Sequence, residues 1–282
     1  VNFSAGQSTT TLATTLNTAE TTTITATDGS LTGVPSSSLT VVKKTLTVSG
    51  VTANNKVYDG NTNATLNTGS AVLVGVASGD SVTLNTGSAA GAFVTKTVGT
   101  GKTVTVSGLT ISGADAANYT VTQPTTTANI TVATVTGSIT ADNKVYDGTT
   151  TATIATRTLS AVIGADVVSL TGGTATFANK NVGTVKTVTA TGLSLSGADA
   201  GNYQLASTGA STTADITTRA LTVSATGVNK AYDGNTNATV TLSDNRVAGD
   251  VLTTAYTSAA FASKNVGTGK TVNVSGITVT GT

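Results

Sequence analysis

The sequence predicts an all-β chain of tandem antiparallel β-sandwich modules, arranged end to end as a rod. Three observations carry that expectation. The composition is dominated by β-branched and small residues, apolar positions alternate at period two, and one unit of about 85–90 residues recurs along the chain.

Composition comes first. About a quarter of the 282 residues are threonine, and Val and Ile add further β-branched side chains, which favour pleated strands. The good helix formers are scarce: Glu20 is the only glutamate and there is no methionine. Disordered chains are short of β-branched residues and carry high net charge, whereas here the net charge is +1. A near-neutral chain has no electrostatic footprint for nucleic acid or an anionic membrane. No apolar run approaches the ~20 residues of a membrane span. No signal peptide is visible and the chain opens on Val1, so it reads as a piece of a longer protein. Cys, His, Met and Trp are all absent, which rules out disulfides.

The repeat comes next. "NKVYDG" at 55–60 returns as "NKVYDG" at 143–148 and "NKAYDG" at 229–234. Phe93, Phe177 and Phe261 keep pace, each just ahead of a Lys-x-Val-Gly run. "GKTVTVSGLTISGADAANY" at 101–119 is matched by "VKTVTATGLSLSGADAGNY" at 185–203, while the third copy reads "GKTVNVSGITVTGT". The expected division is 43–133, 134–218 and an incomplete 219–282. Residues 1–42 do not match the unit. They read as two or three strands ending in a hairpin and resemble the C-terminal part of a bacterial Ig-like domain. A unit this long is the size of an Ig sandwich and far exceeds a solenoid repeat, so each copy can bury its own core.

Alternation within the unit is clearest at Val104 and Val106. Gly108 then shifts the parity before Leu109 and Ile111, as a bulge or tight bend would. Further strands are expected at 45–50, 54–58, 62–66, 71–76, 81–85, 89–94, 118–122 and 127–132, with one helical turn at "GADAANY". No flexible linker separates the copies, which favours stiff junctions.

The order Lys56-x-Tyr-Asp-Gly60, Gly79-Asp-x-Val82, Phe93-x-x-Lys-x-Val-Gly99, Gly101 to Leu109 and Ser112 to Tyr119 resembles the bacterial YDG domain. Copy two departs from it at Ala165, which interrupts the Gly-Asp pair. The resemblance implies a non-catalytic extracellular stalk or spacer at the bacterial cell surface. It would belong to a large secreted adhesin of the filamentous-haemagglutinin-like kind and project a binding domain away from the cell. Its partners would be the neighbouring modules of the same chain. Extracellular polysaccharide or self-association would come second, without nucleic acid or membrane insertion. A β-grasp-like module is the alternative fold. A surface-layer or filament-forming subunit and a weak multivalent glycan- or matrix-binding array are the alternative functions.

Candidate sites remain. Without His or Cys, the commonest general base and the best nucleophile are missing, so no catalytic residue and no cofactor are expected. "VGTGKT" at 98–103 imitates a phosphate loop but precedes a strand. Asp59, Asn61 and Asn63, with Asp233, Asn235 and Asn237, imitate the opening of a calcium loop. Copy two replaces those asparagines with Thr149 and Thr151. The simpler expectation makes Asp59, Asp147 and Asp233 turn caps. Gly60, Gly148 and Gly234 then take positive φ, and Tyr58, Tyr146 and Tyr232 anchor the core. Lys56, Lys144 and Lys230 either pair with those aspartates or lay their stems over the tyrosine rings. Asn118 and Asn202 recur and raise a Lys–Asn crosslink as a further option.

Overall fold

The computed structural model describes residues 3–4, 7–8, 15–25 and 37–281. The chain is all-β and divides into two compact units. The first holds Val1–Ala133 with two short segments of the second module, Ile163–Ala165 and Gly201–Gln204. The second holds Thr134–Val162, Asp166–Ala200 and Leu205–Thr282.

In the first unit, Lys44–Ser49 buries Leu46 and Val48 on one face and exposes Thr45 and Thr47 on the other. It pairs antiparallel with Val72–Val74 and parallel with Tyr119–Val121. A five-stranded sheet runs in the order Lys56–Val57, Thr125–Thr131, Gly99–Ser107, Ala90–Phe93, Asn63–Ala64. Its only parallel pair joins Lys56–Val57 to Thr125–Thr131. These parallel pairs refine the purely antiparallel expectation. Each joins an early strand to a late one, such as Thr45 to Thr120, 75 residues apart. Parallel pairing needs such long connections, and alternation along one strand says nothing about its distant partner.

Val48 from one sheet and Val106 from the other share a core with Leu109, backed by Leu66, Leu73, Leu84 and Val121. Gly108 ends the strand Gly99–Ser107 at φ +78, where a Cβ would lie 2.1 Å from the Ser88 carbonyl oxygen. The parity shift is therefore a close backbone approach that only glycine permits. "GADAANY" forms a single 3-10 turn, Ala116–Asn118, matched by Ala200–Asn202 in the second module. A β-grasp module needs an α-helix laid across the sheet, and none is found among the described residues.

Ahead of the first module, Phe3–Ser4 pairs with Gln7–Ser8, and Thr21–Thr22 with Leu39–Thr40. The hairpin expected at the end of this segment falls largely on 26–36, outside the described residues.

The second unit repeats the five-stranded order as Lys144–Val145, Ala210–Thr217, Gly183–Ser196, Ser169–Phe177, Thr151–Ala152. Leu170, Phe177, Val188, Leu193 and Ile216 form its core. The third module adds three two-stranded pairs. These are Val223–Gly227 with Val240–Asp244, Leu252–Ala255 with Thr278–Gly281, and Ser258–Phe261 with Val272–Ser275.

Candidate functional site

The recurrent Tyr-Asp-Gly turn leaves the edge of the five-stranded sheet. Tyr58 still donates its N–H to Thr131 O at 2.8 Å, after which the chain turns away. Asp59 Oδ1 accepts the Asn61 N–H at 3.1 Å, and Asn61 Oδ1 accepts the Asn63 N–H at 2.9 Å. Short polar side chains favour such successive Asx turns. Gly60, Gly148 and Gly234 stand at φ +79, +76 and +80.

Lys56 fills the loop these bonds create. Its Nζ donates to Asp59 Oδ1 at 2.8 Å, Asn61 O at 2.9 Å, Asn61 Oδ1 at 3.0 Å and Asn63 O at 3.0 Å. On its other side lies the Phe93 ring, 5.5 Å from Nζ to centroid. The oxygens that the calcium reading nominates thus face an ammonium supplied by the chain itself. Asn63 contributes its backbone carbonyl rather than its side chain.

In the second module Lys144 Nζ takes Asp147 Oδ1 at 2.7 Å, Thr149 O at 2.9 Å, Thr149 Oγ1 at 3.1 Å and Thr151 O at 3.0 Å. The Thr149 hydroxyl oxygen does what the Asn61 amide oxygen does, so the departure of copy two from the calcium pattern leaves the lysine cage intact. In the third, Lys230 Nζ takes Asp233 Oδ1 at 2.8 Å and Asn235 Oδ1 at 2.9 Å, and the Asn237 N–H donates to Asn235 Oδ1. The rings beneath these two ammonium groups are Phe177 and Phe261. The lysine therefore covers phenylalanine rather than tyrosine; it is Lys96 that stands 6.0 Å from the Tyr58 ring centroid.

These contacts shift the carboxylates. The Lys144 hydrogen bond, helped by the Thr149 N–H, lowers Asp147 to about 2. Lys230 lowers Asp233 in the same way. Burial pushes Asp59 up, but hydrogen bonds from Lys56 and the Asn61 N–H outweigh it, and its pKa is lowered. Among the described residues, no three Asp, Glu, His or Cys side chains converge as a metal site.

What lies beyond the turn differs from copy to copy. Tyr58 is 2% exposed and Tyr232 is 63% exposed. In the first unit the Tyr58 ring meets Tyr203 edge-on, centroids 5.5 Å apart at 76°. Ile163 Cγ2 lies 2.9 Å from where a Gly60 Cβ would stand. Tyr203 and Ile163 both come from the second module, and the Ile163 N–H donates to the Tyr203 hydroxyl at 3.0 Å. Asn202, 6% exposed, accepts the Val98 N–H of the first module at 3.0 Å.

The same construction recurs in the second unit. Val247 Cγ1 lies 2.7 Å from the position of a Gly148 Cβ. The Tyr146 hydroxyl donates to Asp250 Oδ1 at 2.6 Å, a bond that pushes the tyrosine pKa up. Lys180 Nζ stands 3.9 Å from that carboxylate. At the front of the first module, Asn118 Oδ1 accepts the Ala19 N–H at 2.9 Å. Gly234 has nothing within 4 Å of its Cβ position.

Each Tyr-Asp-Gly turn is thus a seat, and the next module brings an apolar knob to the first two of them. Residues 42–128, 126–213 and 217–282 each match the YDG domain. The chain belongs to the YDG domain family. No curated protein matches it.

Within the YDG modules the knob was not nominated by sequence. Ala77, Ile163 and Val247 share one loop position. Ala77 and Ile163 both donate their N–H to the module's own tyrosine hydroxyl at 3.0 Å, and Asp80 and Asp250 both donate theirs to the carbonyl of Ala77 or Val247. The available signal was an apolar residue three positions ahead of the Asp in each copy. Asn118 and Asn202, raised as crosslink candidates, place their amide oxygens on backbone N–H groups of the preceding element. The phosphate-loop mimic lies on the strand Gly99–Ser107, and Lys102 Nζ donates to Thr95 Oγ1 at 2.6 Å.

Proposed function

We propose that this chain is a non-catalytic stalk or spacer, part of a large secreted or surface-attached bacterial adhesin, which holds a binding domain away from the cell. The observation that carries the reading is the repeated joint. An apolar knob packs on the YDG glycine, an asparagine grips a backbone N–H of the preceding element, and the turn itself is pinned by its own lysine. A spacer needs junctions that resist bending, and packed contacts reinforced by buried hydrogen bonds provide that resistance. The extracellular, adhesin setting of the filamentous-haemagglutinin-like kind is what the YDG resemblance implies. The built-in ammonium supports a spacer whose stiffness is independent of calcium.

Small-angle scattering of the 282-residue chain tests this. An elongated monomer is expected, with a longest dimension on the order of 120 Å for three modules whose strands rise ~3.4 Å per residue. Its profile should be the same with and without EDTA. A compact particle, or collapse on chelation, overturns the reading.

A further inference from the structure

We propose that the Asp-Gly pairs of the modules, Asp59-Gly60, Asp147-Gly148 and Asp233-Gly234, are latent sites of isoaspartate formation, and that the lysine of each turn keeps them as aspartate. The inference is independent of what the chain does at the cell surface. Asp-Gly is a reactive dipeptide because glycine has no Cβ to hinder approach of its nitrogen to the neighbouring carboxyl group. In the rearrangement the glycine nitrogen attacks the aspartate Cγ and a C–N bond forms. One carboxyl oxygen leaves as water, with one proton from the acid and one from that nitrogen. A water molecule then reopens the five-membered imide. Opening at the former backbone carbonyl routes the main chain through Cγ and lengthens it by one methylene. No oxidant or reductant enters.

The turn uses both members of the reactive pair. The aspartate oxygen closes the Asx turn, and the glycine holds the positive φ. The aspartates are also open to water: their side chains are 46%, 49% and 46% exposed, so burial does not shield them. Protection has to come from the bonds the carboxylates make.

Those bonds act in two ways. They fix the carboxyl group: Asp147 Oδ1 accepts from Lys144 Nζ at 2.7 Å and from the Thr149 N–H and hydroxyl, both at 2.9 Å. Asp59 Oδ1 accepts from Lys56 Nζ at 2.8 Å and the Asn61 N–H at 3.1 Å, and Asp233 holds Lys230 Nζ with both oxygens, at 2.8 and 3.0 Å. Turning the carboxyl group to offer Cγ to the glycine nitrogen pulls the oxygen away from these donors. The bonds also keep the group ionised, and it is the acid form that loses water, since an ionised carboxylate would have to expel oxide. The charged neighbour of each aspartate is its own module's lysine. With Asp147 lowered to about 2, its acid form at neutral pH is on the order of 50-fold scarcer than that of an ordinary aspartate near 3.9.

The test ages the full chain, its Lys144→Met variant and a synthetic peptide copying residues 143–152 side by side, and follows isoaspartate at 147 by electron-transfer fragmentation of digests. At pH 7 the parent chain should form it at least about tenfold more slowly than the peptide, in which the turn is not held. Lys144→Met should form it at least about fivefold faster than the parent, while Asp59 and Asp233 of the same chain keep the parent rate. Unchanged hydrogen exchange across 183–196 shows that the variant's sheet is intact. At pH 2, where the acid form is abundant in every sample, variant and parent should converge to within about threefold, and the gap between parent and peptide should narrow at least about fivefold. The parent-to-peptide comparison stands even where the variant does not fold. A parent that rearranges as fast as the peptide at pH 7, a variant no faster than the parent, or ratios as large at pH 2 as at pH 7 overturns the proposal; the last outcome would mean that the lysine only stiffens the turn.

Discussion

Gly148→Ala isolates the joint from the turn. Gly148 and Gly234 have nearly the same backbone, φ +76 and +80, so an alanine at either incurs the same left-handed penalty of about 1 kcal/mol. They differ in what the new methyl meets. At 148 it would stand 2.7 Å from Val247 Cγ1, and at 234 it meets nothing within 4 Å. Val247 is branched at Cβ and has little rotamer freedom with which to yield, so the clash must push the knob off its seat. Overpacking of this kind costs about 1–3 kcal/mol. That extra cost falls on the docked state alone and corresponds to roughly 5- to 150-fold more opening of the contact, at 1.4 kcal/mol per factor of ten. The readout is hydrogen exchange of the loop around Val247 to Asp250, where the Asp250 N–H is bonded to Val247 O at 3.1 Å. Exchange there should rise in Gly148→Ala, stay unchanged in Gly234→Ala, and return to within a few-fold of the parent in Gly148→Ala/Val247→Ala. Equal effects of the two single alanines, or no rescue by the smaller knob, would refute the argument. Gly60→Ala should act in the same direction, because its neighbour is Ile163 Cγ2, a methyl on a branched Cβ like Val247 Cγ1, 2.9 Å away.

Lys144→Met keeps the stem against Phe177 and removes the ammonium, so Asp147 should titrate closer to the ordinary aspartate value instead of at about 2. A carboxylate whose folded pKa is depressed adds stability that is complete above the unfolded value near 3.9 and is lost as pH falls towards the folded one. The Asp147 side chain is 49% exposed, so screening reduces this contribution to about 0.5–1 kcal/mol. Carboxyl NMR with urea midpoints at pH 7 and pH 2 checks it; an unmoved Asp147 titration counts against the cage. Asn202→Ala leaves the Val98 N–H without its acceptor, at about 1–2 kcal/mol, and exchange of that amide should quicken about 5- to 30-fold. Asn202→Asp, which keeps an acceptor oxygen, should restore most of the protection, and unchanged Val98 exchange in the alanine variant would remove the clamp from the account.

The strands were legible because their signal is local. Leu46, Val48, Val104 and Val106 alternate with threonine along the chain, and burial follows that alternation. Gly108 was legible for the same reason, since a parity shift is written into its neighbours. The parallel pairs were not, because the partner of Lys44–Ser49 lies beyond Asn118 and no pattern within either strand names the other.

The turn was read halfway. Asp and Gly have meanings that a single loop can express, a side-chain cap and a positive φ. For the lysine, sequence order favoured the adjacent Tyr58 ring, whereas Phe93 comes from Ala90–Phe93, a strand separated from Lys56–Val57 by two others in the sheet.

The tyrosine shows most clearly where the signal ends. As an anchor of its own module's core, it should be equally buried in all three copies. It is instead buried where Tyr203 stacks against it, bonded through its hydroxyl where Asp250 approaches, and open in the third copy. Its environment is set by residues of the following module. Those partners sit where no periodicity constrains residue type: Tyr203 brings a ring edge to Tyr58, and Asp250 brings a carboxylate to Tyr146.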